Sequence, residues 1–121
     1  MRLIIKGRLP NLNDLISAER KNRYAAAKLK RDAEDLVLLS AKASLRGKIN
    51  TPVIMHYLWV EPNQKRDKDN VSSFGRKVIQ DALVKGGYLP GDGWNYSTGF
   101  TDTFEVDKKN PRIEVTFEEV T

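Results

Sequence analysis

The chain has 121 residues, of which 40% are hydrophobic and 31% are charged, and its formal net charge is +5. This length predicts one domain, residues 1–121, with a core that needs no disulfide or metal support. The absence of cysteine excludes disulfide frameworks, thiolate zinc sites and cysteine nucleophiles, and the single histidine excludes multi-histidine metal sites.

Membrane segments are not expected. No apolar stretch approaches the roughly 20 residues that a membrane-spanning helix requires. The apolar run at the N-terminus is too short for a signal peptide and is followed by no small-residue cleavage site. We therefore expect a cytoplasmic protein without membrane contacts.

The positive charge is concentrated in the first half. Residues 1–50 contain 12 Lys and Arg against 5 Asp and Glu, a balance of 12 − 5 = +7, whereas residues 51–121 contain 9 against 11, a balance of 9 − 11 = −2. A basic half suggests a polyanionic partner, with nucleic acid as the first candidate. A solvated helix face rich in lysine explains the same numbers.

The first half predicts a strand, a break and a long helix. Residues 2–8 form the strand, and Pro10 to Asn13 contains turn-forming residues. Residues 14–24 are polar and mixed, which favours a loop. Residues 22–44 lack Gly and Pro and place apolar side chains at helical spacing, so they predict a helix that Gly47 ends.

The second half predicts a central strand, a second helix and a hairpin. Residues 53–60 are apolar on both faces, as in a central strand, where His56 is expected to be a satisfied sheet histidine. The helix begins near residue 69 or 70 with an Asx cap and ends at Gly86 and Gly87. Two alternating segments, 96–106 and 112–118, suggest a hairpin. The order β-α-β-α-β-β predicts an α+β fold: a mixed sheet with two helices.

The most informative residues are the two acids that precede the second helix, Asp67 and Asp69, here called the aspartate pair. In an extended segment their side chains point the same way. Neighbouring carboxylates that stay ionised need a positive partner, and a hard cation such as Mg²⁺ suits carboxylates and water. The alternative is that one acid caps the helix and the other is solvated.

Helical phase adds a polar stripe beside the core stripe of the second helix. At 100° per residue, Asn70, Lys77 and Asp81 lie on one side. Lys77 and Asp81 could also be an ordinary i, i+4 pair. With the lysine before the aspartate, such a pair stabilises a helix less than the reverse order does.

A third acid, Asp92, follows the helix in a glycine-flanked loop that can return towards the aspartate pair. Three carboxylates and a lysine suit metal-assisted phosphodiester hydrolysis. A turn role is the plainer explanation of Asp92. Trp94 and Tyr96 nearby suit either base stacking or core packing.

Three motifs in order carry a family resemblance. They are Arg66-Asp67-Lys68-Asp69-Asn70, Lys77-Val78-Ile79-Gln80-Asp81-Ala82-Leu83 and Gly87-Tyr88-Leu89-Pro90-Gly91-Asp92. Together with the chain length and an early Pro10-Asn11-Leu12-Asn13 segment, they resemble the RusA family of Holliday-junction resolvases. Two features depart from the family pattern: Lys77 lies about one helical turn further from Asn70, and Gly91 replaces one acid of the loop.

The resemblance implies a small α/β homodimer, common in prophage-like contexts, that binds four-way DNA junctions and nicks them with Mg²⁺, or with Mn²⁺ instead. It implies metal ligation by Asp67, Asp69 and Asp92, catalysis by these acids and Lys77, and support from Asn70, Arg76 and Asp81, with Arg76 as the alternative cation. DNA contacts would come from Arg66, Asn11 and Asn13.

The sequence thus predicts a Mg²⁺-dependent, structure-selective DNA endonuclease. Basic residues of the first half are expected to contact phosphates, among them Arg20, Lys21, Arg23, Lys28 and Arg31. Two alternatives remain: a non-catalytic DNA-binding protein on the same fold, and a small interaction protein whose acids only cap and solvate.

Overall fold

The computed structural model describes residues 1–50 and 52–120. Within these residues the chain forms three helices and four strands. In chain order they are β1 (Arg2–Lys6), α1 (Leu12–Lys21), α2 (Arg23–Ser44), β2 (Val53–Glu61), α3 (Lys68–Lys85), β3 (Ser97–Val106) and β4 (Arg112–Glu119). The predicted α+β class and the mixed sheet are confirmed, although the helix count was one too low.

The four strands form one sheet in the order β1-β4-β2-β3. β2 pairs antiparallel with β4 on one side and parallel with β3 on the other. Because its neighbours cover both edges, the run that is apolar on both faces is a central strand, as predicted. β1 and β3 form the two edges of the sheet.

The predicted hairpin between the last two strands is wrong. β2 lies between β3 and β4, so these consecutive strands are not paired with each other. α3 carries the chain back so that β3 runs parallel to β2, and β4 then takes the place between β1 and β2. The connection between β3 and β4, residues 107–111, could join two adjacent strands of a hairpin or two strands with a third between them. Its composition does not distinguish these two arrangements.

The polar segment 14–24 is not a loop, because most of it belongs to α1. Asn11 caps this helix: its side-chain oxygen accepts a hydrogen bond from the Asp14 N–H at 2.9 Å, and the Asp14 carboxylate accepts one from the Asn11 N–H at 2.9 Å. This reciprocal arrangement is a capping box. Every residue of α1 remains at least partly exposed, which explains why its apolar pattern is weak.

The helices cover one face of the sheet. On that face β2 presents Val53, Met55, Tyr57 and Trp59, all buried, and α3 contributes its own apolar stripe, which includes Phe74 and Val78. Gly75 allows α3 to lie close to β2, since a Cβ atom at this position would lie 2.6 Å from the Trp59 ring. Among the described residues, no helix is long and apolar enough to cross a membrane.

The opposite face of the sheet carries His56. In register, His56 lies between Thr116 of β4 and Thr101 of β3. Its ring nitrogens are 2.7 Å from the Thr101 hydroxyl and 2.7 Å from a Glu118 carboxylate oxygen. The histidine is therefore satisfied within the sheet, as the sequence predicts.

Candidate metal and nucleic-acid site

The aspartate pair lies at the start of α3. Asp67 is the N-cap residue with extended backbone angles, φ −65° and ψ 140°, and Asp69 lies in the first turn. Both side chains are exposed. The Asp67 carboxylate accepts no hydrogen bond from the helix N–H groups, so the predicted Asx cap is present by residue type but not by hydrogen bond. The helix dipole favours both negative charges at this end.

An open cavity of about 490 Å³ adjoins Asp67. Its lining comes from the end of β2, the connection to α3 and the end of β3, and includes Lys68, Phe104 and Glu105. The Lys68 ammonium lies 5.6 Å from the centroid of the Phe104 ring. One exposed positive side chain thus lies over an aromatic ring at the cavity that Asp67 also lines.

Arg66, the predicted DNA contact, is engaged inside the protein. Its guanidinium donates to both carboxylate oxygens of Glu61, at 2.7 and 3.0 Å, and to the Leu9 carbonyl at 3.0 Å. Only 16% of the side chain is exposed. Arg66 therefore joins the end of β2 to the segment that precedes α1, and little of it is left to meet DNA.

Asp92 does not join the aspartate pair within one chain. It lines a second cavity of about 330 Å³ with Gln80, Trp94 and Phe100. Residues 67 and 80 are separated by about 20 Å of helix axis at 1.5 Å per residue. Over residues 1–50 and 52–120 the fold assembles no group of three or more Asp, Glu or His side chains that could hold a metal ion. The predicted convergence of three carboxylates is therefore not present in the isolated chain.

The polar stripe of α3 faces α2. Asp81 lies 3.2 Å from the ammonium of Lys77 and 3.2 Å from that of Lys30 in α2. Asp81 is mostly covered, so its role here is to link two helices. Lys77 is 61% exposed and lies about 12 Å along the axis from Asp69, while Asn70 starts the same stripe.

Arg76 projects from α3 towards β3. Its guanidinium pairs with Asp102 and lies 4.4 Å from the centroid of the Phe100 ring. The other Asp102 oxygen accepts a hydrogen bond from the Trp59 indole at 2.8 Å. Arg76, the alternative catalytic cation, thus neutralises a carboxylate of the sheet edge.

The basic residues of the first half meet where α1 joins α2. Arg20 and Lys21 occupy the last turn of α1, Arg23 begins α2, and Asn22 between them caps both helices. All three cations are exposed, and the neighbouring Tyr24 is 70% exposed. Of the two predicted asparagine contacts, Asn11 is buried as a helix cap and Asn13 is exposed on α1.

The sequence predicts no role for Lys68, which is only one residue of the first motif. Its contact with Phe104 depends on β3 returning next to β2, because only that topology places the Phe104 ring beside the start of α3. The predicted hairpin did not place β3 beside β2, so this contact could not be predicted from it. The only sequence feature that pointed to Lys68 was the alternation of basic and acidic residues in 66–69.

Compared with protein-family models and with curated proteins, the chain matches none significantly. The expected family membership therefore rests on the motifs of residues 66–92 and on the early asparagine segment.

Proposed function

We propose that this protein is a Mg²⁺-dependent endonuclease that nicks branched DNA, with four-way junctions as substrate, and that it works in the cytoplasm as a homodimer. The observation that carries the proposal is the exposed aspartate pair, of which Asp67 lines an open cavity that also presents Lys68. Of the nearby cations, Arg66 is paired with Glu61 and Lys77 with Asp81, whereas Lys68 is exposed beside the pair. The pair is thus left available for a cation from solution.

Two carboxylates suit a magnesium ion that also binds substrate. Mg²⁺ in phosphoryl-transfer sites is commonly held by one or two carboxylates, while water and substrate phosphates complete its coordination. Asp67 and Asp69 would hold the ion here, with Mn²⁺ as an alternative ion. When bound, it would supply charge neutralisation at the phosphate and activation of water.

The chain's own residues would bind and orient the DNA. Lys68 places an ammonium next to the aspartate pair and would stabilise the charge of the attacked phosphate. Lys77, further along α3, would contact a neighbouring phosphate. Trp94 and Tyr96 are exposed rather than part of the core, which leaves their rings available to stack on unpaired bases.

Replacement of the Asp69 carboxylate tests the proposal. Synthetic four-way junctions are incubated with Mg²⁺ and either wild type, Asp69→Asn or Asp35→Asn, whose carboxylate is exposed on α2. We expect wild type and Asp35→Asn to nick, and Asp69→Asn to lose at least ~100-fold in rate, because one of two metal ligands is gone. Equal nicking by wild type and Asp69→Asn contradicts the assigned site.

The second candidate is a DNA-binding protein without catalysis. The separation of Asp92 from the aspartate pair favours it, because the site in one chain offers one acid fewer than the motifs predict. This candidate predicts salt-sensitive binding of junctions by wild type with no product strand at any Mg²⁺ or Mn²⁺ concentration.

A further inference from the structure

We infer that residues 19–24, here called the helix corner, bind unpaired nucleotides: the Tyr24 ring stacks on a base while Arg20, Lys21 and Arg23 bind the phosphates around it. The ligand is a nucleic acid with unstacked bases, such as a single strand or the open centre of a branch. The helix corner is separate from the aspartate pair, and its binding needs no metal ion. Its part in the recognition of branched DNA rests on the proposed function.

A single residue, Asn22, joins the two helices at the helix corner. Its backbone N–H donates to the Ala18 carbonyl at 3.2 Å, which ends α1, and its side-chain oxygen accepts from the Ala25 N–H at 2.8 Å, which begins α2. The backbone at Asn22 is extended, with φ −175° and ψ 170°. The residues on both sides therefore belong to capped helices, so little backbone freedom is lost when their side chains bind a ligand.

The helix corner presents one aromatic ring among polar residues. All six residues are exposed, and Tyr24 is 70% exposed. The other five are charged or polar, so the ring is not part of an apolar patch of the kind that binds a protein partner. The face of a nucleobase can cover such a ring whatever its sequence, because every base has a flat π-surface.

The cations of the helix corner have no carboxylate partners. Arg20, Lys21 and Arg23 take part in no ion pair within residues 1–50 and 52–120. By contrast, Lys28 and Lys30 further along α2 each lie beside a carboxylate, at 2.6 and 3.2 Å. Three cations and one acid give the helix corner a charge of 3 − 1 = +2. Unpaired cations around an exposed aromatic ring are the combination that binds single strands.

The ring makes the helix corner selective for unpaired bases. The faces of paired bases are covered by their neighbours in the stack, and exposing one costs unstacking energy. The cations contact the phosphates of paired and unpaired strands alike. The contribution of Tyr24 is therefore expected only with a ligand whose base is already exposed.

The helix corner lies within reach of the aspartate pair. α1 begins beside Arg66, whose guanidinium lies 4.0 Å from the Asp14 carboxylate in the first turn. The ten residues of α1 span about 15 Å at 1.5 Å per residue. A duplex strand rises about 3.4 Å per nucleotide, so the two places are separated by four to five nucleotides, roughly. One DNA molecule can thus place an open branch point at the helix corner and a phosphate of the adjoining arm at the aspartate pair.

Binding measurements in a chelator, without metal, test the inference. Fluorescence anisotropy is recorded with a short oligothymidine and with a duplex of the same length. We expect Tyr24→Ala to weaken binding of the single strand by about 5- to 100-fold and binding of the duplex by less than about 2-fold. Tyr24→Phe retains the ring and should bind both ligands as wild type does.

Leu39→Ala is the matched control, because Leu39 lies on the same helix with a similar exposure of 67%. It should bind both ligands as wild type does. The inference is overturned if wild type does not bind the single strand, if Tyr24→Ala binds it as well as wild type, or if the loss extends equally to the duplex. Circular dichroism verifies that each variant is folded.

A second readout reports the stacking itself. A 2-aminopurine base within the oligothymidine loses fluorescence when it stacks on a ring. At saturating protein we expect this loss with wild type, Tyr24→Phe and Trp94→Ala, but not with Tyr24→Ala. If Trp94→Ala abolishes the loss and Tyr24→Ala does not, the stacking ring belongs to the loop before β3 and the inference is wrong.

The failure of this inference can be told from the failure of the proposed function, because nicking is measured separately in Mg²⁺. If the Tyr24 variants bind as expected but wild type never nicks a junction, the proposed function fails and the helix corner remains a binding site for unpaired nucleotides. If wild type nicks junctions while Tyr24→Ala binds the single strand as wild type does, only the inference about the helix corner fails.

Discussion

At the scale of single residues, two cationic side chains that are close in the sequence have different surroundings in the structure. Arg66 and Lys68 both flank Asp67, yet Arg66 is held by Glu61 while Lys68 lies over the Phe104 ring beside an open cavity. The family resemblance implies a DNA contact at Arg66 and assigns none to Lys68. In the structure the Glu61 carboxylate at the end of β2 binds the Arg66 guanidinium, so little of Arg66 is left exposed.

Tyr57 carries a prediction about alkaline pH. Burial raises the pKa of Tyr57 well above its ordinary value of 10.0, and the hydrogen bond from the Gln80 amide, at 3.3 Å, lowers it by less. Above pH 10 the unfolded chain therefore releases this proton while the folded chain keeps it. The folded state then binds more protons, so its stability must fall as the pH rises, by up to about 1.4 kcal/mol for each pH unit.

Urea unfolding of wild type and Tyr57→Phe at a series of pH values from about 9 to about 11 measures this effect. Lysine side chains titrate in the same range in both proteins, so the difference between the two curves isolates Tyr57. We expect wild type to lose stability more steeply than the variant above pH 10. Parallel curves would show that the hydroxyl ionises as easily in the folded state as in the unfolded one.

At the scale of elements, the packing of α3 on β2 depends on one missing side chain. A methyl group at Gly75 would lie 2.6 Å from the Trp59 ring, which is stacked on Tyr57 and hydrogen bonded to Asp102 and so cannot easily move. We expect Gly75→Ala to lower the free energy of unfolding by about 1–3 kcal/mol, despite alanine's better helix propensity. Denaturant unfolding monitored by circular dichroism provides the measurement.

Gly47→Ala is the matched control for this substitution. Within the described chain, a Cβ at Gly47 has open space to 4 Å, so its unfolding free energy should change by no more than about 0.5 kcal/mol. If Gly75→Ala is as stable as this control, Trp59 has room to shift and the close packing is not essential.

Elements with a strong apolar pattern could be predicted from the sequence, and those without one could not. α2, β2 and α3 were predicted within one or two residues because each buries a continuous apolar stripe or run. α1 was missed because none of its residues is fully covered, although the Asn11 and Asp14 cap was present in the sequence. The parallel pairing of β3 with β2 was not predicted, because it depends on which edge of β2 remains open once β4 has paired with the other edge.

At the scale of the whole molecule, the candidate site was predicted in its parts but not in its assembly. The spacing of Asp67 and Asp69 requires only local geometry, and the structure places both at the exposed start of α3. The position of Asp92 depends on the length of α3 and on the sheet order, which set the two ends of β3 apart. A loop that follows an 18-residue helix can return to the sheet, but not to the end where that helix began.

The uneven charge of the chain gives a last prediction, on how DNA binding depends on salt. Each phosphate contact releases counterions, so removing one contact lowers the slope of log K against log salt by about 0.9 for duplex DNA. Alanine at Arg20, Lys21 and Arg23 together should lower that slope by up to about 3 and weaken binding at low salt. Alanine at Lys42, Arg46 and Lys48, also exposed, removes the same charge from the other end of α2 and should leave most of the slope unchanged. Fluorescence anisotropy of a labelled junction over a range of salt concentrations measures both. Equal losses in the two triple variants would mean that net charge alone, and not the junction of α1 with α2, attracts the DNA.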